Sequence, residues 1–148
     1  MRIPILLLAF AVCASAADDR AQVIAVVNKL FEGMAASDAA GIAAVFTPGA
    51  KIIAADAAKI APARPAAEFA ERIGAGKNRI VERMWKPTVL IRGRIAMLWA
   101  DYDVYVGGKF GHCGIDAFML LNTDSGWKIS QIEYTSETEH CTAPPTVP

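Results

Sequence analysis

The second half of the chain limits the fold most. From Arg79 onward, apolar and polar residues alternate through four long runs, at residues 80–91, 95–106, 110–121 and 127–137. Alternation with period two marks a strand lying between two different environments. The links between runs are short. Arg92-Gly93 and Gly108-Lys109 each fit a two-residue hairpin loop, and residues 122–126 form a longer loop rich in turn residues. Such short links leave room only for antiparallel neighbours, so the four runs read as a meander. Pro87 has no N–H to give a ladder, which places the first run at a sheet edge or gives it a bulge.

The segment before Arg79 is helical. Asp18 or Asp19 can cap a helix whose apolar stripe is Val23, Val26, Val27, Leu30, Phe31 and Met34. Ser37 or Asp38 caps a shorter helix carrying Ile42, Val45 and Phe46, which Pro48-Gly49 stops. Residues 50–55 make a short strand, and residues 56–64 look irregular. Pro65 suits the first turn of a third helix, with Phe69 and Ile73 pointing inward and Gly74 and Gly76 ending it. The fold class is therefore α+β, with three helices packed on a curved, mostly antiparallel sheet. No internal repeat or long linker divides it, so residues 17–141 form one domain.

The N-terminus reads as an address. Arg2 precedes an apolar stretch from Ile3 to Val12, and Ala14-Ser15-Ala16 supplies small residues for a signal peptidase. This pattern predicts a cleaved signal peptide over residues 1–16 and a secreted or periplasmic protein. Export leaves two cysteines, Cys113 and Cys141, and an even pair in an oxidising compartment invites a disulfide; the alternative is two unrelated thiols. A bridge would pin a Thr/Pro-rich tail, residues 142–148, expected to be disordered. The chain has 148 residues, 54% hydrophobic and 20% charged, with zero net charge. That balance excludes a dedicated nucleic-acid binder, which needs a basic face. No run is long enough to span a bilayer, and no glycine-rich phosphate loop or Cys/His cluster implies a cofactor or metal.

The element order resembles the cone-shaped fold of the nuclear transport factor two-like superfamily, which includes ketosteroid isomerases, scytalone dehydratase and SnoaL-like polyketide cyclases. More narrowly, residues 99–105 (WADYDVY), 112–118 (HCGIDAF), 126–129 (GWKI) and Tyr134-Thr135 resemble the secreted bacterial group called "putative lumazine-binding". The resemblance implies the cone fold and a cavity, and a homodimer formed through sheet faces. It carries over no catalytic residue and no cofactor, because one cone serves many reactions.

The turns also predict which residues meet. With Gly108-Lys109 as the loop, Gly107 faces Phe110, Asp101 faces Asp116 and His112 faces Tyr105. One sheet face then collects Ala96, Leu98, Ala100, Tyr102, Val104, Cys113, Ile115, Ala117, Met119 and Leu121. The other is apolar at one end and polar at the other. There Asp101, Tyr105, His112, Asp116 and Tyr134 gather, with Trp99 and Phe118 as an apolar wall. These seven are the candidate ligand-binding residues, and Asp101, His112 and Asp116 the candidate catalytic ones. Two opposed carboxyls in a dry pocket hold one proton between them, which suits acid–base work. The alternative is that this end is the wet surface of the sheet. Asp103 is expected to be wet, Glu82 to offset Lys77, Arg79 and Arg83 on a solvated face, and Trp85, Trp99 and Trp127 to read as core before ligand platform. His112 with Asp116 lacks a third ligand, so no metal is assigned. Three functions remain open: a binding protein for a small hydrophobic or aromatic molecule; an isomerase, dehydratase or cyclase moving protons through an Asp/His pair; or a structural role with a vestigial pocket.

Overall fold

The computed structural model describes residues 16–142. The expected signal peptide up to Ser15, with Cys13, and the tail from residue 143 lie outside the described residues. The order is α1 (Ala16–Ala36), α2 (Ala39–Ala44), β1 (Phe46–Ala55), β2 (Arg64–Pro65), α3 (Ala66–Gly74), β3 (Ile80–Arg92), β4 (Ile95–Val106), β5 (Lys109–Thr123) and β6 (Gly126–Thr135). The six strands form one curved, unclosed sheet in the order β2-β1-β6-β5-β4-β3. Only β1 against β6 is parallel. No helix of the described residues is long and apolar enough to cross a membrane.

Helix α1 buries the stripe its spacing predicts: Val23, Val27, Leu30, Phe31 and Met34. It begins at or before Ala16, so Asp18 and Asp19 sit inside the first turn rather than at its cap. Asp19 Oδ1 instead accepts the Trp127 indole N–H at 3.1 Å, tying α1 to β6. Asp38 is the cap of α2, accepting from the Gly41 N–H at 2.9 Å. That helix ends earlier than Pro48-Gly49. Phe46 already pairs with Ile129 in the sheet, and Gly49, at φ +77°, sits in an irregular stretch of β1. Pro65 stands just before α3 and pairs with Lys51, rather than entering the first turn.

The meander forms, with its registers shifted from the expected ones. Gly107 and Gly108 are the loop of the β4–β5 hairpin, at φ +59° and +80°, and Val106 faces Lys109. Two consecutive positive φ angles suit glycine at both positions, and only Gly107-Gly108 offers that. Gly111 then bulges, and from His112 onward β5 pairs one residue away from expectation. Asp116 faces Ala100, not Asp101, and His112 faces Val104, not Tyr105. A slip of one residue turns every side chain to the opposite face. The inner face, against the helices, therefore holds Ala96, Leu98, Ala100, Tyr102 and Val104 of β4 as expected. From β5 it holds His112, Asp116, Phe118 and Leu120, while Ile115, Ala117, Met119 and Leu121 face out.

Strand β3 is both an edge strand and bulged, the two outcomes Pro87 allows. Its register shifts between Trp85 and Thr88, with Lys86 at φ +50°. The Arg20 guanidinium of α1 donates to the Pro87 carbonyl at 2.9 Å and holds the bulge. Beyond it, Glu82 faces Val104 and Met84 faces Tyr102, so Glu82 turns inward. Cys113 and Cys141 form the expected disulfide, with Cα atoms 5.8 Å apart. The segment leading to it pairs Glu137 with Cys113 across the outer face.

Candidate functional site

A cavity of about 350 Å³ lies between the inner sheet face, α1 and α3. Leu30, Met34, Ile52, Ile73, Phe118 and Ile132 form its apolar walls. Tyr102, His112, Asp116, Tyr134 and Glu82 bring polar groups to the same space. A greasy cavity with a few convergent polar groups is the usual form of a small-molecule site.

The strand registers set these polar groups side by side. Tyr134 of β6 faces Asp116 of β5. His112 stacks on Tyr134, with ring centroids 6.0 Å apart and planes 11° apart, and meets Tyr102 edge-on at 5.6 Å. The Tyr102 hydroxyl lies 2.7 Å from the Thr135 carbonyl and 2.8 Å from His112 Nδ1. A carbonyl can only accept, so the single phenolic proton points to Thr135. His112 Nδ1 must then carry a proton and donate it to the phenol oxygen. Burial lowers the His112 pKa and favours the neutral ring. A neutral ring protonated at Nδ1 keeps a lone pair on Nε2, available to accept or abstract a proton. Tyr102 stays a phenol, because burial and the nearby Asp116 carboxyl raise its pKa.

Gly114 allows this contact. It has φ +151°, and a Cβ there would lie 2.3 Å from Thr135 Oγ1 and 2.6 Å from the Thr135 carbonyl oxygen. Thr135 Oγ1 in turn accepts the Ile115 N–H at 2.9 Å.

Asp116 is 2% exposed, and its Oδ2 meets no hydrogen-bond donor among the described residues. Its polar neighbour within reach is Glu82, another carboxyl. Two carboxylates have nothing to donate, so the pair is satisfied only when one holds a proton. Burial raises both. The Glu82 charge raises Asp116 further, and Glu82 is pushed up to about 7. Asp116 is the donor of the pair and the last to ionise. Near neutral pH the cavity thus offers a carboxylic proton held by the Asp116–Glu82 pair and an imidazole lone pair at His112.

Of the seven expected site residues, four meet in the cavity: His112, Asp116, Phe118 and Tyr134. Three do not. Trp99 is on the outer face and 48% exposed. Asp101 is also outward, between Trp85 and Ile115. Tyr105 lies outside under the Arg83 guanidinium, 5.2 Å from its ring centroid. The one-residue bulge at Gly111 separates the two groups. Asp103 is not wet: it is 5% exposed and held by both Nε and Nη2 of Arg83. Tyr102 and Glu82 are the polar cavity side chains that sequence spacing did not place. The hydroxyl on the apolar face of β4 was the available signal for Tyr102. Glu82 was hidden by the bulge at Pro87. Among the described residues, no three His, Cys, Asp or Glu side chains converge as a metal site.

The family model described as "Putative lumazine-binding" matches residues 18–135. No curated protein matches the chain. Several solved structures share the fold at low identity. An NTF2-like protein with a cystatin-like fold from Novosphingobium aromaticivorans is 15% identical, with a TM-score of 0.68, over 83% of this chain and 84% of that one. A protein described as a "putative dehydratase" of the NTF2-like family from Streptomyces avermitilis is 15% identical, with a TM-score of 0.69, over 82% and 98%. An NTF2-like superfamily protein from Salmonella enterica is 14% identical, with a TM-score of 0.69, over 88% and 99%. At these identities the likeness establishes the fold and no activity. With the family model covering residues 18–135, the chain belongs to the "putative lumazine-binding" family, and it has the fold of these NTF2-like proteins.

Proposed function

We propose that this chain is an exported protein, cleaved near Ala16, that holds a small, largely apolar molecule in the cavity. The ligand's body lies against Phe118, Ile132 and Ile52, and its hydroxyl or carbonyl meets Asp116 and His112. The observation that carries this reading is an almost fully buried Asp116 at the wall of a cavity, its Oδ2 meeting no donor other than the proton it can share with Glu82. An unsatisfied buried polar atom costs about 1–3 kcal/mol, and a ligand donor or acceptor would offset that cost. The test is to isolate the protein from cells that make it naturally and identify the retained small molecule by mass spectrometry. A stoichiometric apolar molecule, lost from Asp116→Asn, supports the reading. An empty cavity in both proteins removes it.

A second reading is favoured by the shared proton of Glu82 and Asp116 beside the free lone pair of His112. In a dehydration, His112 Nε2 takes a proton from carbon. The electrons form the new C=C bond, the C–O bond breaks, and the Asp116 proton leaves with the hydroxyl as water. Turnover of the retained molecule, abolished in His112→Gln, would establish this reading over simple binding.

The outer face supports a homodimer. Leu90, Ile95, Trp99, Met119 and Leu121 are all substantially exposed there, and apolar side chains gathered on one face favour a covering partner. Trp99→Lys is expected to convert a dimer to a monomer in light scattering. A monomeric wild type at micromolar concentration would remove the dimer.

A further inference from the structure

The cavity is chemically lopsided. Its acid groups, Glu82 on β3 and Asp116 on β5, stand toward one side. On the far edge of the sheet, Arg64 of β2 faces Ile52 and lines the same cavity. Arg72 of α3 joins it there, with its guanidinium 5.5 Å from the centre of the Phe69 ring, itself a cavity wall. Arg64 is partly buried and Arg72 exposed, so these two mark the open end, while Asp116 marks the closed one.

Among the described residues three other arginines are engaged, and Arg79 and Arg92, which are not, do not line the cavity. Arg20 bonds to the Pro87 carbonyl, Arg83 to Asp103 and Arg94 to Asp124. Neither Arg64 nor Arg72 has a hydrogen bond or ion pair among the described residues, although Glu68 and Glu71 lie on the same helix as Arg72. Two guanidinium groups left free at the mouth of an apolar cavity form an anion site, since a planar fork of donors matches a carboxylate. The closed end offers an anion carboxyl groups and no cation, which fixes the orientation.

We propose that the ligand of this cavity is a small apolar organic acid, with its anionic head at Arg64 and Arg72 and its apolar body reaching toward Phe118 and Asp116. This rests on the reading of the cavity as a binding site and adds the charge and direction of what it holds. A neutral terpene or steroid would leave both guanidinium groups unused. A cavity near 350 Å³ restricts the body to a compact ring system.

The experiment uses two fluorescent probes of similar shape, 8-anilino-1-naphthalenesulfonate, which is anionic, and N-phenyl-1-naphthylamine, which is neutral. Both are titrated into the full mature protein, with folding checked by thermal unfolding. The anionic probe is expected to bind at least about tenfold more tightly than the neutral one, the size of one charge-assisted contact. Arg64→Ala with Arg72→Ala should erase that preference while leaving the neutral probe within about twofold. Arg64→Lys, which keeps the charge without the fork, should restore part of it. Equal binding of both probes by wild type, or equal loss of both in the double variant, overturns the proposal and leaves the cavity reading intact. Ile80 lines the cavity, so Ile80→Trp fills part of it and should weaken both probes. If it weakens neither, the dyes bind elsewhere, and the cavity reading and the proposal fall together.

Discussion

Asp103 and Asp116 are buried to nearly the same depth, on opposite faces of one sheet, and their charges are managed in opposite ways. Asp103 faces out and lies under both nitrogens of an Arg83 fork. Asp116 faces in and has another carboxyl for a neighbour. The first is paired with a cation. The second is neutralised by a proton, which can leave. A carboxyl held by an arginine fork ties β3 to β4. A carboxyl held by a shared proton can donate, and burial alone would not keep it there unless the surrounding fold is strong enough to tolerate the cost. The contrast separates structure from function on the two faces.

The largest test of this contrast is the disulfide, because it anchors the outer face beside the inner site. Its bridge joins residues 28 apart, a loop whose closure stabilises by about 3 kcal/mol in the chain-entropy model. Cys141→Ser should lower unfolding free energy by about that amount in urea titrations. The same segment supplies Thr135, whose carbonyl takes the Tyr102 proton. Loosening it should therefore also weaken probe binding inside the cavity. A change below about 1 kcal/mol, against the few expected for a native bridge, would mean that the strap does not organise the outer face.

Paired substitutions give a smaller and more direct comparison. Asp103→Asn removes a charge from a two-point ion pair, but Arg83 is half exposed and can return to water. A loss of about 1 kcal/mol is expected, with cavity binding unchanged. Asp116→Asn removes a carboxyl that another carboxyl opposes. Its stability should stay within about 0.5 kcal/mol at neutral pH while probe affinity changes severalfold, since an amide cannot replace an acid proton. If Asp116→Asn instead destabilises more than Asp103→Asn, the inner carboxyl is structural after all.

The sequence exposed the elements more clearly than the site, for a physical reason. Alternation from Arg79 identified the meander, and the apolar stripe of α1 identified the helix that covers it. Both signals are repeated over many residues, so one irregularity does not erase them. A site depends on register, and register turns on single residues. Gly107-Gly108 and Gly108-Lys109 overlap, and the choice between them shifts the pairing of β5. The bulge at Gly111 then left Asp101 outside and took Asp116 inside, and the bulge at Lys86-Pro87 turned Glu82 inward. His112, Asp116, Phe118 and Tyr134 stayed together because three of them lie on one strand with even spacing and Tyr134 faces that strand. Bulges leave a weak mark in sequence: a glycine or proline inside a strand says that a bulge is there, but not which neighbour turns over.

The last test is the pH dependence of stability, which probes the proton on Asp116 without any ligand. Burial, then the charge and hydrogen bond of Glu82, raise the Asp116 pKa above its ordinary 3.8. The folded protein therefore keeps a proton that the unfolded chain releases. Stability from this source is present at low pH and is lost as pH rises from 3.8 through the raised value. Glu82 acts in the same direction between 4.5 and about 7, mainly through burial. His112 acts the other way, because burial lowers its pKa from 6.5 and the folded state disfavours its protonation. Below 6.5 these contributions oppose each other, so the wild-type curve alone is uninformative. Asp116→Asn retains His112 and the burial of Glu82 but removes the Asp116 titration. The stability of wild type relative to that variant should fall steadily as pH rises from 4 to 8, at no more than about 1.4 kcal/mol per pH unit for one proton. Parallel curves for wild type and Asp116→Asn would show that folding does not hold a proton on Asp116, and the distinction between the two faces would be lost.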